Sequence, residues 1–323
     1  MPLRIVFCGT PSFALPSLRH LIAQPDFQIE SVVTQPDRPR GRGQQKSFSP
    51  VKTVAIGAGL HVFQPESIRS LESYEHFKQI SPDAAVIIAY GQIIPLRLIE
   101  LPRLGWINLH ASLLPKYRGA APIHWAIVNG ESRTGVTTMK IDAGLDTGPT
   151  LLSREMSIGG DETAPELSAR LAEAGAPLVV ETLQRLHTGD ITPTPQDDSQ
   201  VTLAPILKKE DGQIDWSLRS EAIYNRIRGL QSWPGAFASF RRKVCHIWGR
   251  PVSLATEASD VGASSSDLKC EPGTIIARGI DVRVACGEGT ELRLEFVQLE
   301  GRKRIAAHDF VNGARITTGE CFL

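Results

Sequence analysis

The stretch AAVIIAY, residues 84–90, decides the fold. It is continuously apolar, as expected of a strand covered on both faces, and such strands belong to sheets with helices on either side. Reading outward, further strand-like runs fall at 3–8, 28–34, 61–63, 106–110 and 136–141. Helical patterns lie between them. SFALPSLRHLIAQ (12–24) repeats apolar residues at 14/15, 18 and 21/22, with Pro16 tolerable only in the first turn. ESIRSLESYEHFKQI (66–80) is a second amphipathic run. This alternation predicts an α/β domain: a Rossmann-like, mostly parallel sheet with helices on both faces. A long helical region, 164–187, closes it, with Gly175 and Pro177 expected to kink or split it.

After residue 189 the composition shifts. GDITPTPQDDSQVTLAP (189–205) is rich in Pro, Thr and Asp without a period and reads as a linker. One helix is plausible at 217–228. KVCHIWG, GTIIAR, DVRVACG and ELRLEFVQLE then follow as short strands separated by Gly-containing turns. That pattern predicts a small, OB-like β-barrel. ATEASDVGASSSDLK (255–269) reads as a flexible loop, and no function attaches to the tail GECFL (319–323). The expected division is a catalytic domain at 1–189, a linker at 190–207 and a barrel domain at 208–323.

The totals bound the function. A chain of 323 residues suits two domains. Its formal net charge is zero, so nucleic-acid contact must come from local basic patches. Five dispersed cysteines (8, 245, 270, 286, 321) suggest reduced thiols in a cytoplasmic protein. The chain enters LRIVFCG directly, which reads as no signal or transit peptide, and no apolar run approaches membrane-spanning length. FCGTPSFA at the first turn is not G-x-G-x-x-G, and there is no P-loop, no HExxH and no Cys/His cluster. Dinucleotide oxidoreduction, P-loop NTP hydrolysis and a metal centre are disfavoured.

The chemistry centres on GWINLHASLLPKYRGAAP (105–122). In a strand, Asn108 and His110 share one face at its carboxyl end, where open α/β sheets bind ligands. A polar strand end is also common without function: Asn108 as a turn cap and His110 as a satisfied surface residue stands as an equal reading. His124 reads as a packing or surface residue. DAGLDTGP (142–149) follows the strand GVTTMKI, and alone Asp142 and Asp146 suit Asx turns. The loop also leaves a neighbouring strand's carboxyl end, so a carboxylate there could face His110. Asn, His and Asp at one mouth fit acyl transfer to an amine. Amide and imidazolium N–H groups stabilise the developing oxyanion, a carboxylate with an imidazole takes the amine proton, and the amine is itself the nucleophile.

TQPDRPRGRGQQKSFSP (34–50) is long for a strand-to-helix connection and carries Arg38, Arg40, Arg42 and Lys46. Other basic stretches are Lys208/Lys209, Arg226/Arg228, the run Arg241, Arg242, Lys243, and GRKR at 301–304. They hint at a phosphate backbone partner, although scattered surface cations would look similar.

TQPDRPRGRGQQKSFSPVK, INLHASLLPKYRGAAP and TGVTTMKIDAGLDTGPTLL together resemble the methionyl-tRNA branch of the folate-dependent formyltransferase family. The likeness covers nearly the whole chain, IDWS (214–217) and the β-rich tail included. The N-x-H-x-S-L-L-P run with D-x-G downstream is common to the wider family. The basic insert, RGAAPI and the C-terminal barrel narrow it to the tRNA branch. Ala111 departs from the Gly of many relatives.

The resemblance implies N-formylation of the methionine on initiator tRNA, with 10-formyltetrahydrofolate as donor and no metal. It implies Asn108, His110 and Asp146 as the catalytic set. It places Ser112, Leu113, Leu114 and Pro115, with Tyr90, Gly91 and Ile93, at the folate. It assigns the loop around Arg42 to the acceptor end of the tRNA, and the barrel from Lys208 onward to its backbone. The expected protein acts alone, as a monomer, and away from membranes. Two readings stand beside it: a folate enzyme acting on a small amine or amino sugar, or hydrolysing formyltetrahydrofolate, and a non-catalytic RNA-binding module.

Overall fold

A computed structural model describes residues 1–40, 45–252, 270–317 and 319–323. The chain forms two compact units, Met1–Pro122 with Arg133–Ile158 and Glu166–Pro205, and Ile123–Ser132 with Gly159–Pro165 and Ile206–Leu323.

In the first unit the strands are β1 (Leu3–Gly9), β2 (Phe27–Val33), a short hairpin β3 (Pro39–Arg40) and β4 (Gln45–Lys46), β5 (Val62–Phe63), β6 (Ala84–Ile88), β7 (Trp106–His110), β8 (Arg133–Lys140) and β9 (Thr150–Ser157). Seven of them make one sheet in the order β5-β2-β1-β6-β7-β8-β9. Pairing is parallel from β5 to β7 and antiparallel from β7 to β9. The helices are α1 (Leu15–Ala23), α2 (Pro50–Gly57), α3 (Leu71–Ile80), the one-turn α4 (Leu96–Ile99), α5 (Pro122–Val128), whose residues from Ile123 on fall in the second unit, and α6 (Ala164–Thr188). Local chemistry starts them: Ser49 and Ser70 accept the Lys52 and Ser73 N–H groups as N-caps of α2 and α3.

All five residues of β6 are buried, as a doubly covered strand requires. On one face Val6, Cys8, Ala85, Ile87 and Trp106 pack with Tyr90, Phe77 and Leu98. On the other, Leu109 meets α6 at Gly175, where a Cβ would come within 2.5 Å of the Leu109 side chain. That contact corrects the expected break: α6 runs unbroken for 25 residues, with Pro177 inside it. Gly175 serves close helix-to-sheet approach rather than bending. Strand β9 escaped the sequence reading because its apolar residues, Leu151, Leu152 and Met156, neither alternate nor form an unbroken run; it lies at the sheet edge, with no residue fully buried.

The segment read as a linker does not hang free. Thr194 exchanges backbone hydrogen bonds with Thr150, and the 202–204 backbone pairs with Arg118, stitching it to the first unit.

The second unit holds α7 (Ser220–Gly229), β10 (Phe237–Phe240), β11 (Lys243–Pro251), β12 (Ile275–Arg278), β13 (Asp281–Ala285), β14 (Glu291–Leu299), β15 (Ile305–Ala306) and α8 (Ala307–Ala314). The strands form an antiparallel half-barrel in the order β10-β11-β14-β13-β12, with β15 on β14. Its core joins Trp216, Ile223, Phe240, Ile247, Val284, Phe310 and Phe322. The tail therefore has a structural role that the sequence reading missed. Phe322 is buried, and Leu323 exchanges backbone hydrogen bonds with Ser239. The loop 255–269 lies outside the described residues.

Candidate active site

A cavity of about 190 Å³ opens in the first unit beyond the carboxyl ends of β6 and β7. Its wall comes from Ile87, the 89–94 turn, Asn108, Met139 and the 141–146 loop. A larger groove lies at the opposite, amino ends of β1 and β2, lined by Met1, Asp26 and His187 among others. We place the chemistry at the smaller one, because strand carboxyl ends are where such sheets bind ligands and because Asn108 and Asp146 both line it. At 190 Å³ it is smaller than the ~300–1,000 Å³ of a drug-sized pocket, so a ligand of that size would extend beyond it.

Strand alternation puts Asn108 on the Trp106 face of β7, between Ile87 and Met139 of the flanking strands. Among the described residues nothing hydrogen-bonds its side-chain amide, which leaves two N–H donors at the cavity.

His110 is only 5 % exposed and does not line the cavity. Its Nε2–H donates to the Tyr117 carbonyl at 2.8 Å, which assigns the tautomer of the neutral ring. Its Nδ1 faces Asp146 Oδ2 at 3.6 Å, longer than a hydrogen bond. Both ring nitrogens thus turn toward protein oxygens, and of the pair Asn108 and His110 it is Asn108 that lines the cavity.

Asp146 reaches His110 by a route other than the one the sequence suggests. Strand β8 is antiparallel to β7, pairing Ile107 with Lys140 and His110 with Thr137, so its carboxyl end lies beside the start of β7. The 141–149 loop doubles back along β7 to bring Asp146 to the histidine. Asp142 does make the expected Asx turn, accepting from Gly144 N–H and Thr147 Oγ. Asp146 does not: its Oδ2 accepts the Gly119 N–H at 2.9 Å, and its backbone sits in the left-handed region at φ 54°.

That strained conformation is held by residues that sequence reasoning missed. Gln196, from the stitched 190–205 segment, donates both amide hydrogens, to the carbonyls of Asp146 and Gly148, each at 2.7 Å. Its Oε1 accepts from buried Arg118 Nε at 3.0 Å, and Arg118 also pairs with Asp198 at 2.9 Å. Gly119 must be glycine: φ is 126°, and a Cβ would meet the Ala204 carbonyl at 2.5 Å. The only sequence signal was that glycine, beside an arginine, in RGAAP.

The residues assigned to the folate separate into two groups. Tyr90 and Ile93 line the cavity, Ile93 at its 70 % exposed rim, and Gly91 lies between them at φ 89°. The Tyr90 carbonyl takes hydrogen bonds from Thr10 and Gln35, and burial raises its phenol, with Cys8 adding to the shift. Ser112, Leu113, Leu114 and Pro115 do not line the cavity. They form a turn packed on β8: Thr137 Oγ1 donates to the Ser112 carbonyl and accepts the Leu114 N–H, Ser112 Oγ donates to Lys116 O, and the Leu114–Pro115 peptide is cis. Leu113 fills the space over Gly135.

Of the basic residues, Arg38 is exposed and Arg40 and Lys46 belong to the β3–β4 hairpin, while Arg42 lies outside the described residues. Lys208, Arg242 and Lys243 are exposed. Arg241 is committed within the second unit. It forms a two-bond ion pair with Glu320, donates to the Ala314 carbonyl and lies over the Phe240 ring. Among the described residues no three His, Cys, Asp or Glu side chains gather as a metal site needs, and no helix is long and apolar enough to cross a membrane.

Comparison with known proteins gives this arrangement a lineage. The Formyl transferase family matches residues 3–183, and the Formyl transferase, C-terminal domain family matches 206–315. The methionyl-tRNA formyltransferase of Solibacter usitatus is 54% identical over 98% of both chains. Among solved structures, the sugar 3N-formyltransferase WlaRD, crystallised in the presence of dTDP and 5-N-formyl-THF, superposes with a TM-score of 0.65. It is 17% identical, over 94% of this chain and all of WlaRD. HypX from Aquifex aeolicus, in complex with tetrahydrofolic acid, gives a TM-score of 0.61 at 16% identity. That match covers 99% of this chain, which spans about half (49%) of HypX. The structures share the fold, and the sequence identity over the full length settles the branch: this chain belongs to the methionyl-tRNA formyltransferase family.

Proposed function

We propose that the protein transfers the formyl group of 10-formyltetrahydrofolate to the free amine of methionine on initiator tRNA, acting as a monomer. The observation that carries the chemistry is a free amide, Asn108, beside a carboxylate, Asp146, in a cavity at the strand carboxyl ends. Among the described residues the lining holds no Ser, Thr, Cys or Lys. With no side-chain nucleophile of those kinds at hand, the incoming amine does the attacking. The mixed wall fits the donor: Ile87, Ile94, Met139 and Ile141 offer an apolar slot, with Gln92, Asn108 and Asp146 at its polar edge.

When bound, the folate supplies an activated formyl carbon. Asn108 donates N–H bonds to the formyl oxygen as negative charge grows there, an interaction worth most in a site shielded from water. The Asp146 carboxylate takes the proton that the amine sheds and gives one back to the folate nitrogen as its bond to the formyl carbon breaks. His110 stands behind it. Held through Nε2 by Tyr117, it presents Nδ1 to the carboxylate as the next proton carrier, while the Gly119 N–H fixes the carboxylate's orientation. The basic residues of the 34–50 insert, Arg38 exposed among them, meet the acceptor end of the tRNA, and those of the half-barrel, with Lys208, Arg242 and Lys243 exposed, meet its phosphate backbone.

An acceptor comparison tests this. Purified protein with 10-formyltetrahydrofolate is offered charged initiator tRNA or an amino-sugar nucleotide, and formylated product is counted. The expected result is formyl-methionine on tRNA and little sugar product. Preference for the sugar, or donor hydrolysis without transfer, would overturn the assignment.

A further inference from the structure

The half-barrel carries a strip of rings that the formyl-transfer site does not use. Along β11, Cys245 and Ile247 turn into the core, and along β14, Leu294 and Val297 do. Alternation therefore puts His246 and Trp248 of β11 on the opposite face, and on β14 a register shift opposite Trp248 and Gly249 leaves Phe296, next to inward Val297, on that face too. Phe237 of β10 joins them as the cross-strand partner of His246, and Trp248 is directly opposite Phe296. The ring centroids run 5.8 Å from Phe237 to His246 and 6.4 Å from His246 to Trp248. At the far end the Arg304 guanidinium lies 4.3 Å from the Trp248 ring centre and 4.1 Å from that of Phe296.

A cross-strand aromatic pair can serve the sheet alone. Two features exceed that need. Arg304 is exposed, and among the described residues no carboxylate pairs with it. Phe296 is itself 39 % exposed. A planar cation laid on two rings at the surface is the chemistry that takes the face of a nucleobase. Beside the strip runs a groove of about 270 Å³, lined by Lys209, His246, Gln298 and the 299–301 turn. The His246 ring is held below its usual pKa by burial, then by Lys209, so it meets a ligand as a neutral ring. Arg302 and Lys303 precede Arg304 in the same exposed turn, and Glu300 is the one carboxylate on the groove. The surroundings are cationic, which favours a phosphate-bearing partner over an apolar peptide.

We propose that the Trp248–Arg304–Phe296 strip stacks an unpaired nucleotide of the tRNA substrate, with its phosphate drawn to Lys209. The proposal rests on the acceptor assigned above. It is tested with the full-length protein, measuring binding of uncharged initiator tRNA across a salt series, and KM and kcat for Met-tRNA. Trp248→Leu keeps apolar bulk and removes the stacking face, Trp248→Phe restores a ring, and Arg304→Gln changes an exposed side chain that the fold does not need.

Trp248→Leu should weaken binding about tenfold, which is ~1.4 kcal/mol and within the range for one base on one ring. The slope of log affinity against log salt should stay unchanged, because no phosphate contact is lost, and KM should rise while kcat holds. Trp248→Phe should recover most of the loss, and Arg304→Gln should lose severalfold with an unaltered melting temperature. Wild-type KM and affinity in both Trp248→Leu and Arg304→Gln would overturn the proposal and return the strip to sheet packing or a protein partner. So would a Trp248→Leu loss that only tracks lowered thermal stability while Arg304→Gln binds normally. A wild-type protein that fails to formylate Met-tRNA sinks the acceptor assignment instead, so the two failures are distinguishable.

Discussion

Gln196 offers the sharpest perturbation, because its side chain holds the backbone of the loop proposed to be catalytic without lining the cavity itself. Its amide donates to the carbonyls of Asp146 and Gly148, and Asp146 sits at φ 54°. A non-glycine residue in the left-handed region costs roughly 1–2 kcal/mol. Two neutral hydrogen bonds return about 0.5–1.5 kcal/mol each. The two amounts are comparable, so losing both bonds removes most of what keeps Asp146 turned toward His110. Converted at ~1.4 kcal/mol per tenfold, a loss of about 1–3 kcal/mol lowers kcat/KM by roughly 5- to 150-fold. Gln196→Ala also frees Arg118, so Gln196→Glu is the cleaner variant. It keeps the acceptor for Arg118 Nε and puts a second carboxylate oxygen where the donor was. Formyl transfer to Met-tRNA is measured at saturating folate, with thermal melting as the control. The expected result is that Gln196→Glu is at least as slow as Gln196→Ala while its melting temperature stays near wild type. A Gln196→Glu enzyme at wild-type rate would refute the reasoning.

Two further outcomes follow from the packing. Gly119→Ala forces a Cβ against the Ala204 carbonyl at φ 126°, which should cost about 2 kcal/mol or more of stability. Activity should fall with it, since the Gly119 N–H holds Asp146; an unchanged denaturant midpoint with full activity would contradict this. His76 packs on Phe63 at 4.1 Å and contacts Ser31 Oγ, and burial, then the nearby His61, lower its pKa. The folded pKa lies below the unfolded ~6.5, so this contribution is present above pH ~6.5 and is lost as pH falls toward the folded value. Urea midpoints should drop between pH 7 and pH 5, and the drop should shrink in His76→Gln; an identical drop in the variant would count against it.

What the sequence carried, it carried through period and placement. The unbroken apolar run at 84–90 and the alternation at 106–110 put a sheet in the middle of the first unit and Asn108 at a strand mouth. Those signals are local, so they survive without knowing the fold. The direction of β8 is not local: the loop bearing Asp146 leaves the carboxyl end of β8, as the sequence suggests, but that end lies beside the start of β7 and not at its mouth. Gln196 carried no signal at all. One glutamine in a Pro- and Thr-rich stretch becomes a positioning residue only because Thr194 and the 202–204 backbone tie that stretch to the first unit. Pro177 and Gly175 look like helix breakers by propensity, but the close approach to Leu109 outweighs that preference. The tail GECFL has no period to read, and only the barrel shows that Phe322 fills its core. Likewise Arg241 looks like any surface cation until Glu320 is found across from it.

The measurement closest to the central claim is a single-turnover formyl transfer with pre-bound folate and Met-tRNA, comparing wild type with Asn108→Ala, His110→Ala and Asp146→Ala. Removing one oxyanion donor costs about 10²–10³ in rate and removing a general base about 10²–10⁴. The account predicts losses of that order at Asn108 and Asp146, a substantial loss at His110, and tRNA affinity near wild type in all three. Transfer at the wild-type rate in Asn108→Ala or Asp146→Ala would contradict it.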